Sequence, residues 1–301
     1  MNKLPVGEVI ASSYRFLFGH IGTVLGITFL PAVLYAFADY GGHVYLAAHI
    51  SELESADARG QALYVLAMGA GFVVAMFARA AAAVGIVREI FGWRVPAMLH
   101  FPLDRTALRM FAASIRFWLG SAALIALAFG VATLGALLAG VPPNASGEVS
   151  PTPASLIASV LSLAVFVYAL ATMLRMGFLL PGVVVAEEKG GLKRSHDLSQ
   201  GNFWRMLFLA VVLALPPTVL LLAGEGAVLG SAVGADATES GDFFRLMARA
   251  EEAISRQLLP WEVFNSVVFI LYSGLIYSGA AYAYRALSGK NTMETPAAAG
   301  H

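Results

Sequence analysis

The stretch Leu180-Pro181-Gly182-Val183-Val184-Val185-Ala186-Glu187-Glu188-Lys189-Gly190-Gly191-Leu192-Lys193-Arg194-Ser195-His196-Asp197-Leu198-Ser199-Gln200-Gly201-Asn202-Phe203-Trp204-Arg205 carries an apolar run into a charged patch and out again. A short polar helix follows the charges, Gly201-Asn202 breaks it, and a second apolar run starts at Met206. A glycine just past a helix end takes the left-handed conformation that stops the helix. Trp204 beside Arg205 suits a membrane–water interface, where one end of such a side chain is dry and the other wet. The stretch therefore reads as a surface-lying helix joined by an elbow to a membrane-spanning one.

Composition points the same way. Of 301 residues, 58% are hydrophobic and 13% charged, about half the charge of a soluble domain, and the mean hydropathy is +0.74. The apolar residues fall in long runs, the signature of membrane spans. A net charge of zero offers no general attraction to nucleic acid. The absence of cysteine excludes disulfides and thiolate chemistry.

Working outward toward the N-terminus, Ala154 to Ala186 forms one span and Pro142 to Pro153 a turn-rich loop. Phe117 to Val141 forms another span, preceded by a basic loop with Arg94, Arg105, Arg109 and Arg116. Gln61 to Phe91 is a third, following a polar loop through Asp39, Glu52, Glu54, Asp57 and Arg59. Ile21 to Ala38 is the first span of the chain, and Pro5 to Phe18 before it forms a helix with an apolar stripe, closed by Gly19-His20. Ala36-Phe37-Ala38 resembles a signal cleavage site, but Glu8 and the late start of the apolar run favour a retained span. Toward the C-terminus, Met206 to Ala223 spans with Pro216-Pro217 inside it, which predicts a kink. Residues 242–259 have the pattern of an amphipathic helix on the outer surface, Trp261 to Leu287 is the sixth span, and 292–301 is expected to be a disordered tail.

Charge predicts orientation. The N-terminus, the loops near 92–116 and 187–205 and the C-terminus hold 15 of the 19 Lys and Arg, counting Arg79 and Arg175 with the side they lie nearest. The other side holds Arg59, Arg245, Arg249 and Arg256. The basic side is the cytoplasmic one by the positive-inside rule. The expectation is an all-α integral membrane domain over 1–291, with six transmembrane helices and both termini cytoplasmic.

The spacing predicts an internal repeat. Ser13, Arg109 and Ser195 precede the odd-numbered spans, and Arg79, Arg175 and Arg285 sit toward the inner ends of the even-numbered ones. Ser13 to Arg79 and Arg109 to Arg175 are each 66 residues, and Ser195 to Arg285 is 90. Three units of surface helix, span, outer loop and span result, over about 5–91, 101–186 and 190–287, with Ile115-Arg116 in place of the elbow glycine in the middle one.

That order, the Leu192-to-Arg205 stretch and the Tyr284-Arg285 ending resemble the membrane domain of glycerophosphodiester phosphodiesterases and the stand-alone YciC-like bacterial inner-membrane proteins. The resemblance covers most of the chain and implies a six-helix fold in the bacterial cytoplasmic membrane. The phosphodiesterase members carry a catalytic barrel that these 301 residues do not contain. The resemblance is therefore expected to carry the fold and not the phosphodiesterase activity.

Five cations form the candidate site: Arg79, Arg175 and Arg285 at the inner edge, with Arg194 and Arg205 nearby. Arg79 lies about 26 Å along a helix from Ala62 at 1.5 Å per residue, which places it near the edge of a hydrocarbon layer about 30 Å thick. Such arginines either snorkel to the interface or converge on an anionic headgroup. Glu187 and Glu188 point about 100° apart on a helix and form no acid–base pair. Lys193, Arg194 and Arg205 are their natural partners. His43 and His49 share an outer loop with acids without a recognisable metal-ligand spacing, and Ser195 and His196 lack a nucleophile motif. The reading is a non-enzymatic protein without a cofactor, whether scaffold, accessory subunit or lipid-handling factor, with membrane lipids, a membrane protein or its own copies as partners. The alternative is a permease for a small anionic or amphiphilic solute, for which parallel repeats are known.

Overall fold

The computed structural model describes residues 3–53, 58–93, 101–138, 153–188, 191–232 and 254–289. Its helices are α1 (Val6–Gly19), α2 (Ile21–Leu53), α3 (Ala58–Ile90), α4 (Arg105–Leu138), α5 (Pro153–Gly177), α6 (Leu180–Glu187), α7 (Leu192–Ser199), α8 (Phe203–Ala232) and α9 (Leu258–Ser288). Six stretches are long and apolar enough to cross a membrane: Ile21–Tyr45, Val65–Ile90, Arg105–Val131, Ser159–Glu187, Phe203–Ala227 and Leu258–Ser288. This is the architecture of a multi-pass membrane protein.

α3 and α9 form the axis of the bundle. About half of each is buried, 56% and 50%, against 28% or less for the other four. The alanine run Ala80–Ala83 of α3 is buried, and such small residues let backbones approach closely. α4 and α5 pack chiefly on each other at the periphery.

The core is concentrated at one end of the bundle. Leu4, Leu17, Ile86, Leu179, Met206 and Tyr284 are fully buried there. Toward the other end Leu66, Leu127, Leu161 and Leu222 are exposed, as side chains facing lipid tails would be. We call the packed end, where Leu4, Ile90, Glu187, Asn202 and Tyr284 meet, the basic end.

Several elements differ from the sequence expectation. α2 continues to Leu53, so Asp39 and His43 stand on a helix instead of in a loop. The run Val44-Tyr45-Leu46-Ala47-Ala48 carries the helix on past one acid and a glycine pair, with no proline after Pro31 to stop it. α4 is unbroken from Arg105, and Arg105, Arg109 and Arg116 lie on it. Asp104 Oδ1 accepts from the Ala107 N–H at 3.0 Å, capping that helix. Among the described residues no separate surface helix precedes it, because nothing at Ile115-Arg116 interrupts the helix. Separate helices do precede the first and fifth spans, namely α1 and α7.

The fourth span is broken where a single helix is expected. α5 ends at Gly177 and α6 starts at Leu180. Pro181 has no N–H for the Gly177 carbonyl and its ring crowds that turn. The Ser195 hydroxyl of α7 lies between the Arg175 and Met176 carbonyls, 3.1 and 2.8 Å away, and satisfies the frayed end. α8 runs through Pro216 and Pro217 to Ala232. Residues 242–253 of the expected amphipathic helix and the tail 292–301 lie outside the described residues, while Leu258 and Leu259 begin α9.

Candidate functional site

Of the five arginines singled out from sequence, Arg79 has the most distinctive surroundings. The crossing stretch of α3 is Val65–Ile90, so Arg79 is about 21 Å from one end and about 16 Å from the other at 1.5 Å per residue. Within that stretch it stands 14 residues after Val65 and 11 before Ile90. A cation at that depth costs about 2.5–3.5 kcal/mol on insertion scales. Its guanidinium lies over the Tyr35 ring, 5.4 Å from the centroid, and Tyr272 and Tyr277 of α9 line the same space. A cation–π contact offsets part of that cost, by about 2 kcal/mol or more when desolvated. Among the described residues no carboxylate comes within the 4.0 Å of an ion pair with it.

Three cavities meet at this side chain. One of about 360 Å³ lies between α2, α3 and α4, bordered by Tyr35, Asp39, His43, Phe72, Arg79 and Trp118. A second of about 310 Å³ runs along α4, α5 and α6, bordered by Met110, Phe117, Phe178 and Pro181 as well as Arg79. A third of about 230 Å³ reaches α8 and α9, with Thr218 and Asn265 on its wall. Arg79 is common to all three, and most of the remaining lining is apolar or aromatic.

The other arginines are engaged elsewhere, and none of them borders these three cavities. The Arg175 guanidinium lies over the Phe203 ring at 5.3 Å. Arg285 Nη1 donates to the Ile90 carbonyl at 3.5 Å. Arg194 Nε donates to Glu187 Oε1 at 3.0 Å, and Arg205 Nη1 to the Leu4 carbonyl at 3.2 Å. Glu188 pairs with Arg109 at 3.4 Å. Arg285 stands three residues from the end of its helix, about 5 Å, so Arg79 and Arg285 do not share a depth. These contacts join helix ends, whereas Arg79 faces open space.

A second group of polar side chains lies on the far side of Tyr35 from the basic end. Asp39 and His43 are one turn apart on α2, and Glu262 of α9 completes a set whose ligand atoms all fall within 4.8 Å of one another. Asn265 Nδ2 donates to Asp39 Oδ2 at 3.0 Å. No protein family, no curated protein and no solved structure matches the chain.

Sequence reasoning passed over this group for a definite reason. Asp39-x3-His43 is a one-turn spacing, and it becomes visible as such once α2 is known to continue through it. The approach of Glu262, 219 positions later, carries no local signal.

Proposed function

We propose that this is a non-enzymatic six-span protein of the bacterial cytoplasmic membrane, with both termini in the cytoplasm, that holds the headgroup of an anionic amphiphile at Arg79. The observation that carries the reading is the position of Arg79: inside the span, bordering three cavities, with tyrosines beside it and no carboxylate within 4.0 Å among the described residues. A guanidinium presents a planar fork that matches a phosphate or carboxylate. The aromatic and apolar lining suits the chain attached to such a headgroup, and cavities open between helices admit a lipid from the bilayer. The internal repeat, with α1 and α7 as equivalent entrance helices, belongs to the same reading, and the asymmetry of Lys and Arg supports the orientation.

The test is lipid analysis of detergent-purified protein. Wild type is expected to retain about one anionic lipid per chain, R79Q to lose it, and R79K to lose most of it, since a point cation does not reproduce the fork. R175K and R285K are expected to retain it. Inorganic phosphate added in excess separates a bound lipid from a site for the free anion, which it would fill. Unchanged lipid content in R79Q at equal folded yield would refute the proposal.

A further inference from the structure

We propose that Asp39, His43 and Glu262 bind one divalent first-row metal ion, of which Zn²⁺ is the representative, at the end of the bundle away from Leu4. The inference does not rest on the lipid reading, because Arg79 supplies no ligand to the ion.

The geometry is close to what an ion needs. Asp39 and His43 occupy one face of α2, one turn apart, and Glu262 comes from the second turn of α9. His43 Nε2 and Asp39 Oδ2 are 3.8 Å apart, and no pair of donor atoms in the set exceeds 4.8 Å. Donors about 2.1 Å from a tetrahedral ion stand about 3.4 Å from one another. No pair has to close by more than about 1.4 Å to meet that spacing.

Glu262 supplies the independent observation. It is 6% exposed, and both carboxylate oxygens are buried without a hydrogen-bond partner among the described residues. A buried carboxylate left without donors is strongly unfavourable, and no cation among the described residues pairs with it. Two carboxylates and a neutral imidazole carry a charge of −2, which a divalent ion cancels inside the bundle. Asn265 already holds Asp39 by its Oδ2 at 3.0 Å, the kind of outer contact that fixes a ligating carboxylate.

The donor set selects the class of ion. One imidazole nitrogen and two carboxylates suit zinc and its first-row neighbours, while Ca²⁺ takes six to eight oxygens. Three protein ligands leave a position open, as in zinc sites that also bind water or a substrate. Asp39 and His43 border the cavity of about 360 Å³, which gives the ion a route in.

The experiment uses the full chain in detergent, freed of any affinity tag, stripped with a chelator, loaded with Zn²⁺ and cleared of excess. Elemental analysis should find about one zinc per chain in wild type and at least tenfold less in E262Q, H43Q and D39N. R79K should keep its zinc, so that loss of lipid and loss of metal are separable. Zinc should raise the unfolding midpoint of wild type and leave that of E262Q unchanged. Should E262Q fail to fold, wild type decides: Co²⁺ in place of zinc should give the visible absorption of a tetrahedral ion. A wild-type protein that retains no zinc, a colourless cobalt form, or variants that keep zinc at the wild-type level would overturn the site in favour of a protonated Glu262.

Discussion

The backbone N–H of Leu4 donates to Oδ1 of Asn202 at 2.9 Å, across 198 positions of the chain. Arg205 reaches the carbonyl of the same leucine, so both backbone groups of Leu4 are held by the elbow between α7 and α8. Leu4 and Asn202 are both buried. The clamp closes the first third of the chain onto the last at the basic end, and it explains why Arg205 is not free to serve the cavities at Arg79.

Asn202→Ala should therefore destabilise the protein by about 1–3 kcal/mol, the cost of leaving a buried N–H without its acceptor. Arg205 is exposed, and Arg205→Ala should cost less. Thermal unfolding in detergent measures both. Equal midpoints for wild type and N202A would mean that the clamp contributes nothing.

Gly201 sits in that same elbow with φ +73°, the left-handed region that strains residues carrying a Cβ. Gly201→Val should lower folded yield sharply, and Gly201→Asn much less, since Asn enters this region at low cost. Gly19, at the corresponding first elbow, has no positive φ. There the His20 N–H bonds to the Phe16 carbonyl at 3.0 Å, so Gly19→Ala should be tolerated. A G201V variant that behaves like G201N would sink the argument.

A different constraint acts on Gly182, where α6 meets α9. A Cβ there would stand 2.7 Å from the Tyr284 Cβ and 3.2 Å from the Ala280 carbonyl oxygen. Neither atom is the end of a flexible side chain, so the helices must separate. Gly182→Ala should cost about 1–3 kcal/mol, as overpacking does. Gly120→Ala, with nothing within 4 Å of its Cβ, should be neutral or slightly stabilising through helix propensity. The pair of variants isolates close approach from propensity, and unfolding midpoints that fall in the opposite order would contradict it.

Asp104 gives the pH dependence. It lies outside the crossing stretches, capping α4 and pairing with Arg88 Nη1 at 2.5 Å. Partial burial pushes its carboxyl up, but the N–H groups of Ala107 and Thr106 and the Arg88 guanidinium outweigh that, and the net shift is downward from 3.8. A carboxyl depressed in the folded state stabilises fully above its unfolded value and loses that contribution as pH falls through the folded one. Wild type should exceed D104N by about 1 kcal/mol or less at pH 7, as expected for a partly exposed pair. The gap should shrink as pH drops below 3.8. A gap that stays constant from pH 7 to pH 3 would show that the ionised form of Asp104 does not matter.

The positions of the spans were legible because about twenty consecutive apolar residues have few other meanings, and Gly201 was legible because glycine after a polar helix marks a stop. The ends of the helices were not. α2 passes through Asp39 because one acid costs less than ending a helix whose apolar face continues, and α5 breaks at a proline, Pro181, whose effect depends on what can satisfy the freed carbonyls. Arg79 was legible as a cation in an apolar run, but its depth was not. That depth depends on where α3 begins to cross, and on Tyr35 and Tyr272 arriving from helices remote in sequence. Glu262 was invisible for the same reason: its meaning is set by partners that only the fold supplies.

The orientation of the bundle remains a matter of charge, and it yields the last prediction. Arg79, Arg88, Arg105, Arg109, Arg116, Arg175, Arg205 and Arg285 fall within the bounds of the crossing stretches, and leaving out all eight still gives seven Lys and Arg on the basic side against four on the other. Translocating that side would require carrying clustered cations such as Lys193, Arg194 and Arg205 across the membrane, which the positive-inside rule disfavours. Six crossings in alternating directions would place Leu53, at the end of α2, and Lys193, on α7, on opposite sides of the membrane. Reporter fusions after Leu53, Asn144 and Asp236 should report the external side, and fusions at Arg94 and Lys193 the cytoplasm. A wholesale inversion would overturn the orientation while keeping six spans. A single site on the wrong side would overturn the six-span topology itself.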